Sequence, residues 1–430
     1  MSIYGNPVML GGSGGGGDHK IYGFHIDSTN SDPESCVTYL MDAVGMTPAR
    51  MNYSTGSFDY GSWGSAFFLP KPCMLNFNGT VAYYLDPDDY SKKADGTASD
   101  VASLSFGGNA MMEWGQNGKK IWYKIVPDST PTSASVYISD YMADNDYRAW
   151  SFINSQGDFI DHFYTPIYDG HLDSSNRMRS ISGQAVSSAF TPTEERTYCR
   201  NNSSLAIWDT EVYCDIILIN LLLVLISKSL DSQTAFGQGA TLNGTQTIFN
   251  DYRTGAQNAR GLFYGTNSGE ASVSANSVKV FGMENWWGVM WRRFAGLVDD
   301  HGTLKYKLTR SSVDGSTASD YVISDTSADY NGYLVGGTVP QYSWSLLKKQ
   351  RFRKWSYEIS EADESVSPGN MTTYYCDACL TAASNVIGYP IRGGAMAEGL
   401  RCGAFAAAIH NGPAAAWYSF GACPSCKPLS

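Results

Sequence analysis

Charged side chains are scarce in this chain. Asp, Glu, Lys and Arg make up 17% of its 430 residues, and the balance is acidic, with a formal net charge of −11. A surplus of negative charge opposes a phosphate backbone, so nucleic-acid binding is not expected as the main task. The one basic cluster is Lys348, Lys349, Arg351, Arg353 and Lys354. Trp344, Phe352 and Trp355 interleave with it, and it reads as a solvated loop or strand face rather than a nucleic-acid patch. Histidine is sparse too: six residues, with no HExxH and no pair at close ligand spacing. No G-x-S-x-G elbow occurs. The carboxylate pairs Glu194–Glu195 and Asp299–Asp300 give no sign of sharing a cleft. Catalysis is therefore not expected. The opening MSIYGNPVMLGGSGGGG lacks a charged n-region and a long apolar h-region, so Sec export is not indicated. A cytosolic protein, or one assembled into a particle in the cytosol, is expected. Cysteines number nine, an odd count which, without a signal segment, argues against a disulfide framework.

Apolar and aromatic residues are plentiful. Hydrophobic residues reach 43% and aromatics 13%, with 28 Tyr and 11 Trp, enough for a sizeable core. Tyr gives rigid amphipathic contact surface, and both Tyr and Trp suit strands, so a β-rich recognition protein fits. The length suggests two or three domains. Residues 1–20 end in GGSGGGG, a flexible-linker composition. Residues 21–150 read as a β-rich N-terminal domain with one short helix, and 151–430 as a second domain whose start is set only loosely, near 145–175.

Within the first domain IYGFHI (21–26) predicts a strand. Ser31 and Glu34 have capping-box spacing, Pro33 suits a first turn, and Val37, Leu40, Met41 and Val44 repeat at helical spacing before Gly45. This predicts a helix. Asn78-Gly79 and Asn117-Gly118 are hairpin signals. Asp86 to Asp89 could ligate calcium but reads as a turn with a solvated tip. In the second domain a short helix is expected from Thr193. Residues 209–228 predict a long apolar helix, with Asp209 as a candidate cap, Lys228 near the end and Asn220 as the interruption of Ile216–Ile226. About 19 helical residues span roughly 28 Å, but the apolar run is short of the ~20 residues a bilayer crossing needs. A buried central helix is expected, with no membrane insertion. Residues 311–345 are a Ser/Asp/Gly/Tyr-rich insertion with hairpin chemistry in VISDTSADYNGYLVGGTVP.

Cys376-x-x-Cys379 and Cys423-x-x-Cys426 form a paired CxxC pattern 43 residues apart. Two thiolates from each of two turns are what a tetrahedral zinc site requires. The spacer is longer than the ~15–20 residues of common zinc ribbons. No cofactor is otherwise expected, and structural zinc on these four cysteines is the one metal the sequence suggests.

The segment Arg392–Gly421 reads RGGAMAEGLRCGAFAAAIHNGPAAAWYSFG. Arg392, Gly393, Gly394, Gly399, Gly403, Phe405, Trp417 and Gly421 look like framework: glycines permit turns, and the aromatics anchor loops on a core. Between them lie Ala395, Ala397, Glu398, Leu400, Arg401, Ala408, His410, Asn411, Ala414, Ala416, Tyr418 and Phe420, with no periodicity. Upstream, Gly282-Met283-Glu284-Asn285-Trp286-Trp287-Gly288-Val289-Met290-Trp291 places Glu284 and Asn285 where they can satisfy buried backbone groups. Trp286 and Trp291 wall the core, and Gly288 permits close packing.

The frame RGG…G…G.F…N.P….W…G resembles the variable region of target proteins of diversity-generating retroelements. GMENWWGVMW resembles the G-x-E-N-x-W-G-x-x-W core signature of the formylglycine-generating-enzyme subclass of C-type-lectin folds. Arg292 stands where an acidic residue is usual. DPESCVTYLMDAVGM and SLDSQTAFGQG also resemble phage tail proteins. The resemblance covers roughly 200–430 and, more loosely, 21–45. It implies an α+β chain: a β-rich N-terminal region, then a C-type-lectin-like domain with a variable region at 392–421. It implies a non-catalytic binder of a protein or glycan on a host-cell surface, carried on a virion tail or surface with other virion proteins. Self-association is left open, since no coiled-coil heptads occur. The interleaved positions are then the ligand-binding ones. A structural virion component and a formylglycine-generating enzyme are the rival readings. The copper-binding cysteine pair of the enzyme has no matching surroundings here, and the EPN, QPD and WND sugar motifs of calcium-dependent relatives are absent.

Overall fold

The computed structural model describes residues 19–309, 333–367, 369–370, 372–382 and 387–429. The Gly-rich segment before residue 19, and most of the insertion at 311–345, lie outside these residues. The described chain is β-rich with few helices.

Three larger sheets organise it. An antiparallel four-stranded sheet runs Val37–Met41, Ile21–Ile26, Ala134–Ser139, Trp122–Pro127. An antiparallel six-stranded sheet runs Trp208–Thr210, Pro424–Cys426, Phe163–Pro166, Gly108–Trp114, Lys71–Asn76, Val81–Tyr84. Strands from both sides of residue 150 thus share it, and the residues 424–426 lie in its interior rather than at an edge. The third, ten-stranded and mixed, carries the candidate site. Its path runs Tyr333–Thr338, Thr303–Lys307, Leu297–Asp300, Ile387–Arg392, Ala407–Asn411, Ala378–Leu380, Ser345–Phe352, Tyr357–Asp363, with Trp291–Arg293 paired to Ile387–Arg392 off this path and Phe420–Gly421 paired to Trp291–Arg293.

Four α-helices occur among the described residues: α1 (Pro192–Arg200), α2 (Tyr213–Ser227), α3 (Ser232–Phe236) and α4 (Gln246–Asp251). At α1 the side chains of Thr191 and Glu194 form a reciprocal capping box. Helix α2 is buried along its whole length. One continuous apolar cluster runs from Phe24 through α2 to Ile409, so α2 is the rod around which the sheets pack. No helix among the described residues is long and apolar enough to cross a membrane.

Three local expectations are corrected. Residues 37–41 form a strand paired with Ile21–Ile26, not a helix. Val37 and Tyr39 are buried, Thr38 is exposed and Leu40 is half-buried. That period of two suits a β-branched and aromatic run, and it prevailed over the cap-like residues. Asp32 does take the amides of Glu34 and Ser35, but as a turn. Asn117-Gly118 is a tight corner with φ of 56° and 72°. Its flanking strands enter different sheets, so no hairpin forms there, whereas Asn78-Gly79 does join a paired hairpin. Asp209 sits in a strand and binds Arg196 and Arg200, so α2 starts later, at Tyr213, without a side-chain cap. The basic cluster is ion-paired: Lys348 and Lys349 to Glu361, Arg351 and Arg353 to Glu358, Lys354 to Asp146.

Candidate binding face

The segment 392–421 arrives on the strand Ile387–Arg392, turns at Gly393-Gly394, and passes a 3-10 turn at Gly399–Arg401. It returns on Ala407–Asn411 and ends on Phe420–Gly421. The turns demand their glycines. Gly394 has φ of 84°, and a Cβ there would sit 2.3 Å from Cys402 Sγ. A Cβ on Gly403 would sit 1.9 Å from Asp377 Oδ1. That carboxylate receives the Phe405 amide at 2.8 Å, and burial holds its proton affinity well above the usual range.

Beneath the segment lies a hydrogen-bonded floor. The Arg392 guanidinium stacks on Trp286 at 3.7 Å, donates to Trp286 O at 2.9 Å and reaches Glu211 at 2.8 Å. Glu284 accepts the amides of Gly255 and Gln257, both at 2.8 Å. Burial raises its carboxyl. Asn285, in the left-handed region at φ 57°, donates to Asp169 and Tyr252. Gly288 has φ of 83° and lies against Ala240 and Thr241. Asn220 of α2 accepts from Trp286 Nε1 at 2.9 Å and donates to Ala404 O at 2.7 Å. The helix thereby holds both halves of the site.

Arg292 is a buried cation, bonded to Asp169 at 2.7 Å and to Glu284 O at 2.7 Å. Arg293 donates to Ala415 O at 2.9 Å and pairs with Glu195 at 3.3 Å, so it props the loop that carries the outward residues. Asp169, Glu211, Asn220 and Arg293 were not singled out as site residues from sequence. The available signal was two arginines directly after an apolar tryptophan run, which in a core demand buried carboxylates.

The interleaved positions separate by exposure. Ala397, Leu400, Ala414, Ala416 and Tyr418 are exposed, and Glu398, Arg401 and His410 are half-buried. Arg401 pairs with Glu398 at 3.2 Å and lies over the Trp344 ring. Burial lowers the His410 imidazole below its ordinary value. Ala395, Ala408, Asn411 and Phe420 are buried, against the expectation that these positions all face solvent. The reason is packing: Ala395, Ala408 and Phe420 share an apolar cluster with Trp291 and Ile391. The strand register puts Ala408 opposite Ile391.

Trp417, expected as framework, is 61% exposed, whereas Phe420 is 8% exposed. The two aromatics have exchanged the roles expected of them. A turn returns the Phe420 amide to Trp417 O, and strand pairing of Phe420 with Trp291 seats the Phe420 ring inward. Beside the exposed residues is a cleft of about 40 Å³ lined by Thr245, Phe249, Met396, Ala397, Glu398 and Tyr418, among others.

Comparison of the chain with protein-family models and with curated proteins finds no match.

The cysteines do not assemble as their spacing suggested. Cys379 lies in the main core, Cys423 packs with Val289, Met290 and Met396, and Cys426 packs with Cys73, Met111 and Trp208. Cys376 neighbours Asp231. Cys379 and Cys426 sit on strands of different sheets, so the paired CxxC pattern reflects sequence distance only. Burial pushes the Cys379 thiol up to about 12. No group of three or more His, Cys, Asp or Glu residues suited to a metal occurs among the described residues.

Proposed function

We propose that this chain is a non-catalytic binding protein that presents a diversifiable face. On this reading it recognises a protein or glycan on a host-cell surface, as a tail-associated or surface component of a phage or prophage. The domain that carries the face is C-type-lectin-like, of the formylglycine-generating-enzyme subclass, with 392–421 as its variable region. One observation carries the reading: within a single segment, Arg392, Gly393, Gly394, Gly403, Phe405 and Gly421 are buried, while Ala397, Leu400, Ala414, Ala416 and Tyr418 face water beside Trp417. Residues of the second kind can be exchanged at little cost to the fold, usually within about 0.5 kcal/mol. A fixed scaffold displaying exchangeable side chains changes its partner without changing its shape.

The face is narrower than the sequence implied, because four interleaved positions are interior. Its anchors are Leu400, Arg401, Trp417 and Tyr418, since aromatic and Arg side chains dominate binding energy. With alanine at 397, 414 and 416, this copy binds weakly. The test compares the chain with its A397Y/A414Y/A416Y variant on host cells and glycan arrays, with melting temperatures alongside. An altered set of partners at an unchanged melting temperature is expected. Unchanged partners would remove the basis for the reading.

A further inference from the structure

A second cluster, remote in sequence from the face, lies where the strand Pro424–Cys426 leaves its sheet. Lys427 has no exposed surface, and Cys214 and Asp215 are 0% and 2% exposed. The Lys427 Nζ lies 2.9 Å from Asp215 Oδ1 and 3.5 Å from Cys214 Sγ. Cys214 Sγ is 3.4 Å from Asp215 Oδ1. Asp215 belongs to the first turn of α2, so the cluster joins elements 212 residues apart. An aromatic ring flanks it: the Phe163 ring is 5.6 Å from Nζ. The Lys427 backbone is fixed by its amide bond to Ile207 O at 2.9 Å.

As an ion pair this cluster is poorly satisfied. An ammonium has three hydrogens to donate, and the acceptors bonded to it are one carboxylate oxygen and a thiol, which accepts weakly. Asp215 Oδ2 is buried with no partner. Charges withdrawn from water are favourable only when their remaining donors and acceptors are met.

We propose that Lys427 and Asp215 are joined by an intramolecular isopeptide bond. The Nζ–Cγ bond forms and the Cγ–Oδ1 bond breaks. Oδ1 leaves as one water with two of the three ammonium hydrogens, so no electron, proton or co-reactant enters or is left over. Cys214 lies within reach of both atoms and relays the proton: its S–H goes to Oδ1 and is replaced from Nζ. Burial keeps that sulfur a thiol, with its titration pushed up to about 12. The product is a neutral amide. Two buried charges disappear, the N–H keeps Cys214 Sγ as acceptor, and Oδ2 becomes a carbonyl oxygen, cheaper to leave unpaired than half of a carboxylate. The link ties the central helix to the strand at 424–426 and closes a loop of nearly half the chain.

The test is the denatured intact mass of the full chain, measured beside the K427R variant, which keeps a cation but has no primary amine at that position. The expected result is a wild-type chain lighter than its sequence mass by one water, and K427R at its full sequence mass. After trypsin, the wild-type peptides spanning 201–228 and 402–430 stay covalently attached, with fragmentation placing the link on Asp215 and Lys427. A wild-type chain at full sequence mass overturns the proposal. So does a lost water that maps to other residues. A mass raised by one oxygen less two hydrogens also overturns it, since that would be a nitrogen–oxygen–sulfur bridge to Cys214.

Discussion

At the scale of single residues, the amide of Asn220 spans three parts of the protein. It is the one polar side chain within Ile216–Ile226. It accepts from Trp286, donates to Ala404 O and donates to the Tyr357 hydroxyl at 3.0 Å. Asn220→Leu leaves those groups buried without partners, at about 1–3 kcal/mol each. A loss of roughly 3 kcal/mol or more in urea unfolding is expected, and a shift too small to resolve would mean that the helix is held by apolar packing alone. Glu195 gives a pH dependence. Burial pushes its carboxyl from the ordinary 4.5 up to about 8, with Arg293 pulling it the other way. The folded state therefore binds this proton more tightly than the unfolded chain. The resulting stability is whole below pH 4.5 and is lost as pH rises toward about 8. Glu195→Gln removes that loss, so the variant gains on the wild type between those two pH values. Denaturation midpoints at both ends check it, and an equal difference at both refutes it.

At the scale of elements, the strand Ala407–Asn411 decides which parts of the segment are open. Its register against Ile387–Arg392 puts Ala408 over Ile391 and Asn411 beside Tyr389. Ala408→Tyr overpacks this contact, at about 1–3 kcal/mol, while Ala416→Tyr costs within about 0.5 kcal/mol. Thermal melts of the two variants are expected to separate clearly, and coincident melts would contradict the assigned register. The same comparison shows what local sequence conveys. The short helix expected from Thr193, the apolar run of α2 and the Asn78-Gly79 hairpin depend on neighbours in the chain, and all three were legible. The GMENWWGVMW buttress was legible in part: Glu284 takes the backbone amides its chemistry suggested, whereas the Asn285 amide donates to the side chains of Asp169 and Tyr252. Whether Val37 belongs to a helix or a strand depends on Ile21–Ile26. Whether Ala395 is inside depends on Trp291. Whether Cys379 meets Cys426 depends on which sheet receives each strand. Two of these three partners lie far off in sequence and the third is the preceding strand, so patterning alone left them open.

At the scale of the whole molecule, the sheets are interlaced along the chain. The six-stranded sheet takes its strands from 71–114, 163–166, 208–210 and 424–426. A fragment of residues 21–150 expressed alone lacks three of these strands and the α2 rod. It is expected to show no cooperative unfolding transition and no near-ultraviolet circular dichroism, whereas a sharp transition would establish it as an independent unit. The same interlacing buries the ends of many elements in a shared core, so the face rests on a foundation recruited from most of the described sequence.

The floor under Ala395 and Ala408 also bears on how such a protein could change over generations. Trp291, Ile391 and Phe420 surround those two methyl groups. A population of copies randomised evenly along 392–421 would not survive evenly. Bulky replacements at 395 and 408 would be eliminated as misfolded chains before meeting any partner, while those at 397, 414 and 416 would pass. On the proposed reading, the usable repertoire would be filtered from below, by a buried tryptophan, before it is selected from above.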